Sequence, residues 1–111
     1  MAGLIARTRG KAAYRRAAHA GTVPRSLTAP AITGTAQVGQ TLTVTNGTWG
    51  GNAATYTRQW KRGTTNVGTG ATTYVPVVGD VGSPITCVVT ATNSTGSTSR
   101  TSNATAAVIA A

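Results

Sequence analysis

From Thr28 onward the chain alternates polar and apolar residues, and that alternation limits the folds open to it. Thr41-Leu42-Thr43-Val44-Thr45 has period two, the pattern of a strand with one buried face. Ile85-Thr86-Cys87-Val88-Val89-Thr90-Ala91-Thr92 repeats it less cleanly. Threonine, β-branched and polar, suits the exposed face of such strands. Turn-forming residues separate the runs: Asn46-Gly47, Gly50-Gly51-Asn52, Gly68-Thr69-Gly70, Gly79-Asp80-Val81-Gly82 and Asn93-Ser94-Thr95-Gly96. No segment after Pro30 has helical periodicity. Short strands with turns about every 8–12 residues predict an all-β sandwich or barrel. Strands are expected over residues 31–36, 40–45, 55–61, 64–67, 72–75, 84–93 and 97–108, the last one broken or continuous. No internal repeat is visible, so this part is a single module.

Charge divides the chain differently. There are 10 Lys and Arg against one acid, a formal charge of +9. Residues 1–29 hold Arg7, Arg9, Lys11, Arg15, Arg16 and Arg25 with no acid, and Pro24 and Pro30 bracket the change in composition. We therefore expect a basic N-terminal arm over 1–29 and a folded domain over 30–111. The arm is expected to be extended or partly helical. Ala and Arg favour a helix over 11–20, which would need a partner at that length. Leu4-Ile5-Ala6 is too short for the apolar core of a secretory signal, and scarce serine argues against an organellar transit peptide. No apolar run approaches the roughly 20 residues of a membrane span.

Several chemistries are excluded by counting. Asp80 is the sole acidic side chain, so one chain cannot supply paired carboxylates. One cysteine excludes an internal disulfide and a Cys-based zinc site. His19 has no second ligand near it. The many hydroxyl nucleophiles lack a candidate base in the folded part. Glycines follow turns between strands, not a strand-to-helix junction, so a phosphate loop is unsupported. No enzyme, metal or cofactor is expected. Asn46, Asn93 and Asn103 match glycosylation acceptors, which chance explains in a threonine-rich chain.

The order of motifs in the folded part has a likeness. Residues 31–44 open it, followed by Gly47-Thr48-Trp49, then Tyr56-Thr57-Arg58-Gln59-Trp60-Lys61-Arg62, Thr73-Tyr74, Asp80-Val81-Gly82 and Ile85 to Asn93. Over roughly residues 30–108 this resembles the immunoglobulin-like domains of bacterial surface proteins and tailed-phage virion proteins. The resemblance implies an immunoglobulin-like β-sandwich of about seven strands. It places Trp60 on the central third strand between the sheets, where its ring fills volume in a chain without Phe. It sets Cys87 at the position of the second cysteine of the antibody-type disulfide, with Leu42 or Val44 opposite, so Cys87 reads as a small buried apolar residue. Where antibody domains carry a corner tyrosine this chain has Ile85. The expected core is Leu42, Val44, Trp60, Tyr74, Ile85, Cys87 and Val89. Arg58 conflicts with the pattern, because it shares parity with Tyr56 and Trp60. It either snorkels past a sheet end, the favoured reading, or pairs with Asp80, or a bulge shifts the register.

The resemblance also implies a role. Such domains decorate phage particles, so the expectation is a virion structural protein: a capsid decoration, cement or minor head protein assembled in the host cytoplasm. Its partner would be the major capsid protein or another virion protein, bound through Arg7, Arg9, Lys11, Arg15, Arg16 and Arg25. Two alternatives stand beside it. A cell-surface or glycan-binding module, with weak contacts to host glycans, would use exposed aromatics, and Trp49 and Tyr14 are the candidates. A nucleic-acid binder would use the charge of the arm, where only Tyr14 interleaves and no reading motif is present. Val75, Val77 and Val88 are expected to face outward, one of them available for an interface.

Overall fold

A computed structural model describes residues 22–111. Among the described residues the chain is all-β, with nine strands in three antiparallel sheets and no α-helix. The strands are β1 (Arg25–Thr28), β2 (Ile32–Thr33), β3 (Leu42–Val44), β4 (Thr48–Gly50), β5 (Thr55–Arg62), β6 (Thr65–Val67), β7 (Thr73–Tyr74), β8 (Ile85–Asn93) and β9 (Gly96–Thr101). Four of them form a sheet in the order β9-β8-β5-β6, three form a sheet in the order β2-β3-β7, and β1 pairs with β4.

The core lies between the four-stranded and three-stranded sheets. Along β8 burial alternates without a break: Ile85, Cys87, Val89 and Ala91 are buried and their neighbours are not. Opposite them, Leu42 and Val44 point inward from β3 and Ile32 from β2. Trp60 is fully buried, directly across from Cys87, and its ring stacks on Tyr74 at 5.6 Å. Its indole N–H donates to the Ala71 carbonyl at 2.8 Å, which satisfies the one polar atom of the buried ring. Every expected core residue is buried except Tyr74, which is partly buried and packed against the cluster; Val108 joins them.

The expected strands at 55–61, 64–67 and 84–93 match β5, β6 and β8 to within a residue or two. Those at 31–36, 40–45 and 72–75 are shorter than expected. Gly34 ends the ladder of β2: its φ is +118°, and a Cβ there would sit 2.6 Å from the Thr41 carbonyl oxygen. The strand at 97–108 is broken. It ends at Thr101, after which Ser102 Oγ accepts from the Cys87 N–H and Thr105 Oγ1 from the Ile85 N–H. Side-chain hydroxyls thus supplement the ladder past this point. Val108 and Ile109 then make isolated parallel bridges to Val81 and Gln37.

Two strands were not expected. β4 is three residues long and bounded by glycines, so it reads as a turn. β1 lies on the arm side of the expected boundary at residue 29, and its one apolar side chain, Leu27, is 54% exposed. The two are joined through a register shift between Ser26 and Thr28 and a hydroxyl pair, Thr28 Oγ1 to Thr48 Oγ1 at 2.8 Å.

Candidate partner-binding surface

The corner before β8 holds the only carboxylate side chain of the sequence. Val78–Asp80 forms one 3₁₀ turn, and Asp80 is fully buried beneath it. Arg62 faces Ile85 across the β5–β8 ladder, which brings its guanidinium to the corner. Arg62 Nη1 donates to Asp80 Oδ1 at 2.9 Å. Oδ2 accepts from the Tyr74 hydroxyl and from the Val77 N–H at 3.0 Å. Burial opposes ionisation of Asp80, but the bonds from Tyr74, Val77 and Arg62 outweigh it and hold the carboxyl below its ordinary value. Tyr74 moves the other way, pushed up to about 12 by burial first and by its bond to Asp80 second. The expected alternative of an Arg58–Asp80 pair is therefore wrong: Arg62 takes that place.

Sealing Asp80 has an electrostatic consequence. No carboxylate side chain reaches the surface, so Arg25, Arg58, Lys61 and Arg100 have no acidic side-chain partner. The arm residues Arg7, Arg9, Lys11, Arg15 and Arg16, with Tyr14 and the helix expected over 11–20, lie outside the described residues. Arg25 is exposed on β1, and its guanidinium covers Gly50, where a Cβ would lie 3.1 Å from Nη2.

Trp49, considered as a glycan platform, is half-buried. Its ring packs toward Tyr56 at 6.4 Å and its N–H donates to the Asn46 carbonyl at 2.7 Å. Arg58 is half-buried on an unbroken β5–β8 ladder, so no bulge shifts the register. Its Nη1 donates to Asn46 Oδ1 at 2.8 Å, while its Nε is buried without an acceptor. All three asparagines of the glycosylation pattern hold the fold together. Asn46 accepts from Arg58, Asn93 Nδ2 donates to the Thr22 and Gly51 carbonyls, and Asn103 Oδ1 accepts from the Ile32 N–H. Sequence inspection gave no sign of the Asn46 role, because its partner is twelve residues away across the sheets.

The outer face of the four-stranded sheet carries rows of hydroxyls, with Gln59 and Lys61 beyond them on β5. Cross-strand rows run Thr55–Thr92–Ser97 and Thr57–Thr90–Ser99, with Thr90 Oγ1 and Ser99 Oγ 2.7 Å apart. Val88 lies on this face half-buried, and Val75 and Val77 are exposed near the corner, as expected. Among the described residues Val78, at 78%, is the most exposed of the large apolar side chains. Cys87 is fully buried, and burial pushes its thiol up against the opposing effects of the Gln59 backbone bond and the Arg58 charge.

Among the described residues no group of three or more His, Cys, Asp or Glu could hold a metal. No helix among them is long and apolar enough to cross a membrane. No family model matches the chain, and neither curated proteins nor solved structures give a match. The chemistry of the surface therefore rests on its own residues: rows of hydroxyls with Lys61 among them on one sheet face, further cations elsewhere, and no exposed acidic side chain.

Proposed function

We propose that the chain is a non-enzymatic virion structural protein, a capsid decoration, cement or minor head protein. Its basic arm docks on an acidic particle surface and an immunoglobulin-like domain is displayed outward. The observation that carries this reading is the uncompensated charge. The single acid is buried in an ion pair, six of the ten cations fall within residues 1–29, and no side chain on the surface can neutralise them internally. Such a chain is attracted to an extended negative surface and repelled by its own copies until it reaches one.

Strand order supports the immunoglobulin-like part. A β9-β8-β5-β6 sheet packed on a β2-β3-β7 sheet, with the tryptophan of β5 between them, follows the antiparallel two-sheet plan of that class. A domain with that plan and no cysteine pair folds in a reducing compartment, as assembly in a host cytoplasm requires.

The test is the protein content of purified particles. Virions from a culture carrying the gene are washed at low salt and analysed by mass spectrometry. The chain is expected in stoichiometric amounts. Its absence from washed particles would remove this reading, and recovery in a nucleic-acid fraction would replace it with the nucleic-acid alternative.

A further inference from the structure

Exposed apolar side chains gather at one end of the domain. Among the described residues Val75, Val77, Val78, Val81 and Ile109 are five of the seven large apolar side chains that face solvent. The other two, Val23 and Leu27, lie on β1 and just before it. Backbone bonds tie the five into one corner. Val81 bridges Val108, Ile109 bridges Gln37, and the Gly39 N–H donates to the Pro76 carbonyl at 3.1 Å. Pro76, Asp80 and Val108 are buried, while the side chains beside them face out.

The fold does not require apolar side chains at these positions. Main-chain bonds close the 3₁₀ turn, from the Asp80 N–H to the Val77 carbonyl at 2.9 Å and from the Val81 N–H to the Val78 carbonyl at 3.2 Å. Elsewhere the chain puts threonine at exposed strand positions, as at Thr43, Thr55, Thr57 and Thr73. Threonine has the branched shape of valine with a hydroxyl in place of one methyl. Valine at the corner therefore marks a surface that is covered rather than solvated.

Charge decides what covers it. Arg62 is neutralised by Asp80, and Lys61 lies on the outer sheet face. The basic arm joins the domain at the other end, where the Thr22 carbonyl accepts from Asn93 Nδ2. Asn93 and Ile85 are the two ends of β8, about 27 Å apart at strand spacing. Two copies meeting corner to corner hold their arm junctions about 50 Å apart, several Debye lengths at about 0.1 M salt. Contact through the β1 end would bring the cations of both arms together.

We propose that the apolar corner is a self-association surface, which binds the same corner of a second copy about a two-fold axis. Five side chains fall well short of the roughly 20–30 residues a side of a standard interface, so the pair is weak in free solution. Copies held at neighbouring sites reach effective concentrations on the order of millimolar, where a weak contact forms. The contact belongs to the free chain; only its consequence, that copies anchored at one end are joined at the other, rests on the proposed docking.

The full chain is followed by sedimentation equilibrium up to about 1 mM, the effective concentration of tethered copies. A dimer is expected, with an association constant that rises at least tenfold as sodium chloride goes from about 0.1 M to about 1 M and the cations are screened. That salt dependence is opposite in sign to release from an acidic particle. The double variant V77T, V78T exchanges a methyl for a hydroxyl at two exposed positions and is expected to weaken pairing at least fivefold. L27T, at the other end of the domain, is expected to leave pairing unchanged.

A monomer at every salt concentration would overturn the proposal. So would pairing that V77T, V78T leaves intact, or pairing that L27T abolishes. A monomeric chain that loses its place on washed particles when Val77 and Val78 are changed would give the corner to a virion partner instead of a second copy. Corner-dependent pairing by a chain absent from washed particles would support this inference while removing the docking role.

Discussion

Tyr74 donates its hydroxyl to Asp80 while its ring stacks on Trp60, so the only acid of the chain is fastened to the largest side chain of the core through one residue. That link ties the corner before β8 to the centre of the two-sheet core. It also removes the last negative side chain from the surface.

Asp80→Asn should destabilise the fold by about 2–3 kcal/mol, the range for losing hydrogen bonds to a charged buried group. Arg62 remains 31% exposed and can turn to water, which keeps the loss below that of a fully buried pair. Tyr74→Phe should cost less, because the stacking on Trp60 survives and one donor is lost. Urea unfolding of the three proteins checks the order, with an unchanged denaturant slope.

Stability should depend on pH at both extremes. The Asp80 carboxyl is held below its ordinary value in the folded state, so its contribution is complete above about pH 4, the unfolded value. That contribution is lost as pH falls through the depressed folded value. Tyr74 is raised, so its contribution is complete below about pH 10, the unfolded value. It disappears as pH rises through about 12, the folded value. Thermal unfolding across the pH range should show both declines, and Asp80→Asn should flatten the acid one.

Cys87 should behave as a packed apolar residue. Cys87→Val adds a methyl branch at a fully buried site and should cost about 1–3 kcal/mol, as overpacking of an apolar core does. In the wild type a thiol reagent should label Cys87 only as fast as the chain opens, since the side chain is fully buried. Rapid labelling without added denaturant would show that the sheets part at this point.

Gly34→Ala should be costly. The added Cβ would meet a backbone oxygen at 2.6 Å, which cannot move aside as a side-chain tip could, and the positive φ is strained for alanine. A loss of about 2–4 kcal/mol is expected from the two effects together.

The sequence made some of this legible and hid the rest for identifiable reasons. β8 was readable because its inward positions are all apolar and its outward ones mostly threonine. Trp60 was readable because one large ring in a strand of alternating residues has only the core to occupy. β1 was not, because Leu27 faces solvent and Arg25 and Ser26 look like the arm. The Arg62 partner of Asp80 was not foreseen: only Arg58 was weighed for that role, and parity cannot tell it from Arg62, which shares its strand face. The ladder decides it: Arg62 lies opposite Ile85, beside the corner, and Arg58 is four residues farther along, about 13 Å. The orphaned Arg58 Nε depends on Asn46, whose place across the sheets no local pattern announces.

The central claim is electrostatic docking by a chain with no exposed acid, and salt tests it most directly. Particles carrying the chain are washed at rising sodium chloride, and release is measured for the wild type and for the variant with Arg7, Arg9, Lys11, Arg15 and Arg16 changed to Gln. Surface ion pairs weaken as the Debye length falls from about 10 Å at 0.1 M to about 3 Å at 1 M. The account predicts retention of the wild type at low salt, release at high salt, and release of the variant at low salt. Equal retention of both proteins at every salt concentration would contradict it.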